Sequence, residues 1–356
     1  MKMGKQGGHE RHEYVPQPDC PLLQLPPEVR DKVYNFLFLS TRVTFGTRFN
    51  DGSPKYIMPA AHSLALLSVC RQIFDETKTL WLQRLLFNFE SVESLFDKLS
   101  PLPSATLSQI RYLRTRQDSW ILSFDDVKYY HELASILKLL PALRLDTLTV
   151  LGPLESFDGY VNCVALEDLI NNGNGWKELH YVSPDSAMLG FVARPGRRPR
   201  AGPYRRQPQP SSWKDSLLSR DGIDSKATVV IYQAAEGKVV GAPFVKNNSR
   251  RLSQVVPPDT LETFGLKEDP QLMSDGQKEK ELLVVVKRGD TDIAERVEGP
   301  YDPADIRQQT DGMAWPAIKA NLNSDNDDTY DDDDFPQEIE TLEVDTYKNR
   351  DEYVWD

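Results

Sequence analysis

The chain has 356 residues, of which 39 % are hydrophobic and 27 % are charged, and its formal net charge is −12. This length allows two ordinary domains, and the modest apolar content suggests that part of the chain stays unfolded. Three cysteines, Cys20, Cys70 and Cys163, contain no Cys-x-x-Cys pair, which argues against a disulfide framework or a zinc site and favours a reducing compartment.

Membrane and secretion signals are missing from the sequence. No apolar run reaches the roughly 18 residues that a membrane span needs, so we expect no membrane partner. The first residues, MKMGKQGGHERHEY, lack the apolar core of a signal peptide. We therefore expect a cytoplasmic or nuclear protein, with residues 1–19 forming a disordered leader.

The negative charge is concentrated near the end of the chain. From Asp290 onward there are 21 acidic and 5 basic residues, a net charge of −16, which leaves +4 for all residues before it. Segments with high net charge and few apolar residues cannot bury enough surface to fold. We predict that residues 290–356 are an acidic, disordered tail.

The most informative stretch is LLQLPPEVRDKVYNFLF, residues 22–38. Its two prolines suit the first turn of a helix, where an N–H group is not needed. Val29, Val33, Phe36 and Leu37 follow at helical spacing and form one apolar stripe. The segment at residues 64–89 has a similar stripe. Its residues 64–86 are predicted to be a long helix that packs against the first, and residues 87–89 a short strand.

These two segments together resemble the F-box, in the divergent form found in many fungal F-box-like proteins of uncharacterised function. That form reads Leu-Pro-x-Glu-[Ile/Val]-Arg, then Cys-Arg-Gln-[Ile/Val]-x-x-Glu, then an Asn-x-Phe-x-Phe-like end. The matching residues here are Leu25, Pro26, Glu28, Val29 and Arg30, then Cys70, Arg71, Gln72, Ile73 and Glu76, and finally Phe87, Asn88 and Phe89. The resemblance covers roughly residues 20–100.

The resemblance implies a function as well as a fold. In an F-box, the apolar surface of the helices binds a Skp-family adaptor, and the following domain presents a protein substrate to a cullin-type ubiquitin ligase. The residues carried over to the adaptor interface are Leu25, Pro26, Val29, Val33, Leu37, Leu67 and Cys70. A two-helix core needs the same residue types, so simple packing is the alternative for about half of them.

The link between the two helical segments departs from the F-box pattern. Residues 40–62 contain two β-type runs separated by Asn-Asp-Gly, which predicts a small hairpin. An F-box has only a short link here. The alternative function is therefore a fungal scaffold or regulatory protein that does not bind the ligase adaptor.

Residues 101–289 are predicted to form an α/β region. Segments starting at Ile110, Leu145 and Trp176 share an apolar-x-x-Leu-x-β-former frame at spacings of 35 and 31 residues. A helix over residues 127–140 is predicted between the first two. Repetition of strand and helix suggests a degenerate leucine-rich-repeat-like array, and an ordinary α/β domain with a parallel sheet is the alternative. A helix near residues 211–220 and strands near 227–234 and 281–287 are predicted to extend it.

The α/β region also contains a basic loop at residues 194–210. Its arginines include Arg197, Arg198, Arg200, Arg205 and Arg206. The loop could contact phosphates, serve as a nuclear import signal, or pair with the acidic tail, but a solvated loop is the simpler interpretation. The rest of the chain lacks a broad basic face, so nucleic acid is not expected as a partner.

No motif in the sequence indicates catalysis. The five histidines do not have metal-ligand spacing, and neither a Gly-x-Ser-x-Gly elbow nor a Gly-Lys-Ser/Thr phosphate loop is present. We therefore predict a binding protein that is not an enzyme and has no metal or cofactor.

Overall fold

The computed structural model describes residues 20–50, 53–60, 64–124, 127–153, 160–190, 211–234, 250–255, 276, 279–322, 341–345 and 353–355. These residues form a mixed α/β protein with one large mixed sheet. The predicted leader and the whole basic loop, with Arg197, Arg198, Arg200, Arg205 and Arg206, lie outside them. Within the described ranges, no helix is long and apolar enough to span a membrane.

The helices are mostly short. In chain order they are α1 (Pro21–Gln24), α2 (Pro27–Leu39), α3 (Arg71–Thr77), α4 (Leu80–Arg84), α5 (Val92–Leu99), α6 (Ser104–Leu107), α7 (Leu133–Ile136), α8 (Tyr160–Asn172), α9 (Ala187–Gly190), α10 (Ser211–Asp221), α11 (Ile306–Gln309) and α12 (Trp315–Lys319). Single turns of 3-10 helix span Ala65–Ser68, Leu137–Leu139 and Ile223–Ser225.

The strands are β1 (Arg42–Asn50), β2 (Ser53–Pro59), β3 (Leu86–Phe89), β4 (Tyr112–Arg116), β5 (Trp120–Phe124), β6 (Val127–His131), β7 (Leu145–Leu151), β8 (Trp176–Ser183), β9 (Thr228–Ala234), β10 (Arg250–Val255), β11 (Leu282–Lys287), β12 (Thr341–Asp345) and β13 (Tyr353–Trp355). The large sheet has the order β12-β2-β1-β3-β4-β7-β8-β11-β9-β10-β13, and β5 and β6 form a separate hairpin. Strands β1, β3, β4, β7 and β8 are mutually parallel. The pairs β8–β11, β11–β9 and β9–β10 are antiparallel, and β10 pairs parallel with β13.

The three repeated sequence frames form the neighbouring parallel strands β4, β7 and β8. Their leucines, Leu113, Leu148 and Leu179, lie side by side in register and are fully buried. The helix predicted near residues 211–220 and the strands predicted near 227–234 and 281–287 are confirmed as α10, β9 and β11. This is a mixed sheet with antiparallel pairs on both sides of the parallel strands, which is less regular than a repeat array.

Two predicted helices differ from the structure. The segment from residue 127 to 140 begins as strand β6, which pairs with β5, and only then turns helical. The predicted long helix at residues 64–86 is divided into a 3-10 turn, α3 and α4. The β-branched and aromatic residues of VKYYH suit a half-buried hairpin, and pairing with β5 overrides the helical spacing.

The predicted hairpin in residues 40–62 is confirmed as β1 and β2, which pair antiparallel. It is not a peripheral insertion, because β1 also pairs parallel with β3. Strand β3 in turn neighbours β4, so the predicted domain boundary at residue 100 falls inside one continuous sheet.

The prediction of a disordered tail is wrong for residues 290–322. Ile293, Ile306 and Ile318 are buried, and the last two belong to the main core. The indole of Trp315 stacks on that of Trp120, with ring centroids 5.3 Å apart. Charge counting failed here because a few spaced apolar side chains find partners in distant parts of the fold. The acidic stretch that follows, residues 323–340, lies outside the described residues.

Candidate functional site

One side of α2 and its entry exposes a band of apolar side chains, which we call the α2 apolar face. The exposed fractions are 37 % for Leu25, 40 % for Val29, 42 % for Val33, 78 % for Phe36 and 39 % for Leu37. These residues follow the spacing of one helical stripe. The face is therefore a continuous apolar surface formed by a single helix and the turn before it.

A different side of α2 forms the contact with the rest of the protein. Arg30, Tyr34 and Phe38, spaced four residues apart, are the buried residues of this helix. The sequence predicted that the valine stripe would pack against the second helical segment. That prediction is wrong, because the larger aromatic rings of Tyr34 and Phe38 enter the core and turn the valines outward.

An ion pair fixes the orientation of α2. The Arg30 guanidinium donates from Nε to Glu76 Oε2 at 3.0 Å and from Nη2 to Glu76 Oε1 at 2.5 Å. The Tyr34 hydroxyl donates to Glu76 Oε2 at 2.8 Å, and Gln72 Nε2 donates to Oε1 at 3.1 Å. Arg30 Nη1 also donates to the carbonyl of Leu25 at 2.6 Å. One arginine thus holds both the second helical segment and the Leu-Pro-Pro entry to α2.

The charges of this cluster stabilise one another. Hydrogen bonding from Arg30 is the main reason that the pKa of Glu76 lies below its usual value, although burial acts in the opposite direction. Burial, followed by the hydrogen bond to Glu76, raises the pKa of Tyr34 to about 12. The hydrogen bond to Glu76 raises the pKa of Arg30 above its usual value. The cluster is therefore an ionised pair with a neutral tyrosine at neutral pH.

The structure divides the predicted interface residues into two groups. Leu25, Pro26, Val29, Val33 and Leu37 are all exposed along α2 and its entry. Leu67 and Cys70 are only partly exposed and pack against the main core. Of the seven residues that the resemblance assigned to the adaptor interface, five therefore lie on one exposed surface and two pack against the core.

Sequence reasoning left some exposed apolar residues out of the predicted interface. Phe36 is the most exposed member of the α2 apolar face, and its position in the stripe was the signal that could have included it. In the second segment, Val69 is 58 % exposed and Phe74 is 47 % exposed. Their neighbours Ile73 and Thr77 are buried, so α3 also has one core side and one outward apolar residue.

A metal centre is not evident in the part of the chain that the structure describes. No group of three or more His, Cys, Asp and Glu side chains there could hold a metal ion. Searches of protein-family models, of curated proteins and of solved structures found no match to the chain. The interpretation of the α2 apolar face as a binding surface therefore rests on its exposed apolar side chains and on the resemblance of its sequence to the F-box.

Proposed function

We propose that the chain is a non-catalytic interaction protein that docks a Skp-family adaptor through the α2 apolar face. Its α/β region would then recruit a protein substrate to a cullin-type ubiquitin ligase. The observation that carries this proposal is that Val29, Val33 and Leu37 point outward although Tyr34 and Phe38 of the same helix are buried.

Exposed apolar residues are common singly, but contiguous patches usually mark interaction sites. Burying one aliphatic side chain contributes about 1.5–3 kcal/mol, so several of them on a partner would support stable binding. The Arg30–Glu76 pair supports the proposal because it holds the face outward before any partner arrives. A surface that is already ordered pays less conformational entropy on binding.

A second candidate is a scaffold or regulatory protein whose helices never meet the ligase adaptor. The observation that favours it is the integration of β1 into the main sheet between β2 and β3. In this candidate, the helical segment is one end of the α/β fold, and the α2 apolar face binds another protein.

Co-purification with a Skp-family adaptor separates the two candidates. We expect wild-type protein to retain the adaptor and Val33→Asp to lose it while remaining folded by circular dichroism. The matched control is Val161→Asp, because Val161 is also a helical valine and is 49 % exposed. Failure of the wild-type protein to retain adaptor would refute the first candidate, as would equal adaptor recovery by the two variants.

A further inference from the structure

Polar side chains gather where the parallel strands β4, β7 and β8 end, at one edge of the sheet. Gln117 directly follows β4, and its backbone N–H donates to the carbonyl of Leu151, the last residue of β7, at 2.7 Å. Tyr181, near the end of β8, is fully buried. In open α/β sheets, ligands bind in the crevice outside the carboxyl ends of the strands. This edge is therefore the part of the fold where a ligand site is expected.

Two acidic residues come together at this edge. Glu132 directly precedes α7, and Asp168 lies on α8, which packs against α7. Burial and, after it, the negative charge of Asp168 raise the pKa of Glu132. Burial is the main cause of the raised pKa of Tyr181, to which Cys163 and Glu132 contribute through their charge. Glu132 therefore lies near both Asp168 and the end of β8.

The Gln117 side chain connects this acidic pair to β4. It is 8 % exposed, and its Nε2 donates to Glu132 Oε2 at 2.9 Å. Its other amide atom, Oε1, is buried and accepts no hydrogen bond from any residue that the structure describes. Because Nε2 and Oε1 belong to one amide group, Oε1 lies beside the Glu132 carboxylate. A buried acceptor without a donor is unfavourable, so this oxygen indicates a donor that the described residues do not supply.

Asp168 presents a second oxygen of the same kind. Its Oδ1 accepts from Asn172 Nδ2 at 2.7 Å. Its Oδ2 is buried and has no hydrogen-bond partner within the described ranges. The Asp168 carboxylate is therefore only half used by its own helix.

The charge of the acidic pair is not balanced by the neighbouring segment. Among the described residues, the groups that act on Glu132 include no basic side chain. Lys138, on the turn after α7, pairs instead with Asp305 at 3.3 Å. His131, next to Glu132 in the sequence, contacts Gln309 at 2.6 Å, and burial lowers its pKa. The site thus combines negative charge with more acceptors than donors.

We propose that Gln117, Glu132 and Asp168 form a binding site for a primary ammonium group, carried either by a small amine or by a lysine side chain of a protein partner. An ammonium group has three N–H donors and no acceptor. The site offers it Gln117 Oε1, Asp168 Oδ2 and the Glu132 carboxylate. None of the three residues lies on α2, so this inference goes beyond adaptor docking and does not depend on it.

Other cations match these acceptors less well. Calcium takes six to eight oxygen ligands, whereas this site has three side chains. A guanidinium pairs in a planar, bidentate manner with one carboxylate, but the acceptors here come from three different elements. A quaternary ammonium ion has no N–H group to donate. A primary ammonium group alone among these matches both the charge and the number of acceptors.

Isothermal titration calorimetry of the full-length protein tests the site at neutral pH and constant ionic strength. The probe is methylammonium chloride, and tetramethylammonium chloride is the control, because it carries the same charge without a donor. We expect methylammonium to bind saturably and at least tenfold more tightly than tetramethylammonium. Equal affinities, or no saturable binding of methylammonium, would overturn the proposal. This comparison uses only the wild-type protein and therefore does not depend on the folding of a variant.

Two variants that keep side-chain shape and remove charge locate the binding. Glu132→Gln and Asp168→Asn should each weaken methylammonium binding at least fivefold. Without amine, their midpoints of urea unfolding should be no lower than that of wild type, because repulsion between the two carboxylates is removed. A purely structural role would instead lower the midpoint.

The matched control is Glu167→Gln, next to Asp168 on the same helix. Glu167 is exposed, and its Oε1 lies 3.7 Å from Cys163 Sγ. Its effect on methylammonium binding should be less than twofold. Equal effects of Glu167→Gln and Asp168→Asn would overturn the assignment of the site.

A peptide arm distinguishes the two sources of the ammonium group. The probe is Gly-Gly-Lys-Gly-Gly with both termini blocked, and the control is the same peptide with an acetylated lysine, which has lost its charge. Binding of the lysine peptide at least fivefold tighter than methylammonium assigns the site to a protein partner. Weaker or equal binding assigns it to a small amine. Adaptor recovery should be the same for wild type and Asp168→Asn, so loss of adaptor binding would bear on the proposed function and not on this site.

Discussion

Arg30 and Glu76 are joined by two hydrogen bonds, of 3.0 and 2.5 Å, although they lie 46 residues apart. They are also the last residues of the two motifs that resemble the F-box, Leu-Pro-x-Glu-Val-Arg and Cys-Arg-Gln-Ile-x-x-Glu. The two motifs are therefore two halves of one structural unit. This unit holds α2 with its valines outward.

Breaking this pair should destabilise the protein. Glu76→Gln leaves the nearly buried Arg30 guanidinium, whose side chain is 7 % exposed, without its counter-charge. Because Glu76 keeps some solvent contact, we expect a loss of about 2 kcal/mol, less than for a fully buried pair. Urea denaturation followed by circular dichroism measures it. Asp75→Asn, at an exposed ion pair with Lys78, is the control and should cost less than about 1 kcal/mol.

The same pair predicts a pH dependence. The pKa of Glu76 is lowered in the folded protein from an ordinary value of 4.5, so its stabilising contribution is complete above that value and is lost as the pH falls through the lower folded pKa. The difference in unfolding free energy between wild type and Glu76→Gln should therefore shrink on acidification. Denaturation curves at about pH 7 and at steps below about pH 4.5 test this sign. A difference that grows at low pH would contradict it.

Two phenylalanines of α2 provide a matched pair. Phe38 is fully buried and Phe36 is 78 % exposed. Phe38→Ala should cost about 3–5 kcal/mol of stability, whereas Phe36→Ala should change it by less than about 0.5 kcal/mol. We expect the opposite for adaptor binding: the amount of adaptor recovered per folded molecule should fall with Phe36→Ala and not with Phe38→Ala. A large loss of stability with Phe36→Ala would mean that the α2 apolar face belongs to the core.

The packing of residues 290–322 can be tested at Trp315. Its indole stacks on Trp120, lies 5.1 Å from the ring of Phe96, and donates from Nε1 to Asp97 Oδ1 at 2.6 Å. Trp315→Ala should therefore destabilise the whole protein by about 2–3 kcal/mol. Met313→Ala is the nearby control, because Met313 is 39 % exposed. A disordered tail would show no effect in either variant.

Two glycines with the same backbone conformation test close packing. Gly289 has a φ of +69° and Gly312 a φ of +71°. A Cβ added at Gly289 would lie 1.8 Å from the carbonyl oxygen of Ser225, while one at Gly312 would meet nothing within 4 Å. Gly312→Ala should cost about 1–2 kcal/mol for its left-handed φ alone. Gly289→Ala should cost clearly more in the same urea titration, and equal costs would contradict the close approach of Gly289 to the turn at Ser225.

Much of the local structure was predictable because it depends on neighbouring residues. Pro27 and Glu28 start α2, and Ser91 caps α5 through a hydrogen bond with the Ser94 backbone. The Asn-Asp-Gly sequence marks the turn between β1 and β2, and the three repeated frames become β4, β7 and β8. These features use short-range rules of capping, turn formation and side-chain spacing.

Which side of α2 is exposed could not be predicted from the sequence, because it depends on contacts with distant residues. Val33 is apolar and its neighbour Tyr34 is an aromatic residue with one polar hydroxyl. Helical spacing alone favoured the valine side of the helix as the buried side. The opposite side of α2 is buried instead, because Arg30 and Tyr34 hydrogen-bond to Glu76 and Phe38 packs in the main core. The orientation of α2 therefore depends on its contacts with the second helical segment, which contains Glu76.

The sequence by itself therefore determined where α2 and α10 begin, the hairpin of β1 and β2, the strands β4, β7 and β8, and which residues form an apolar stripe on α2. Only the tertiary structure decided which side of α2 is exposed, that Trp315 joins the core, and that β12 and β13 sit at opposite edges of one sheet. The physical reason is range: capping and periodicity act within a few residues, whereas burial depends on partners that can lie hundreds of residues away.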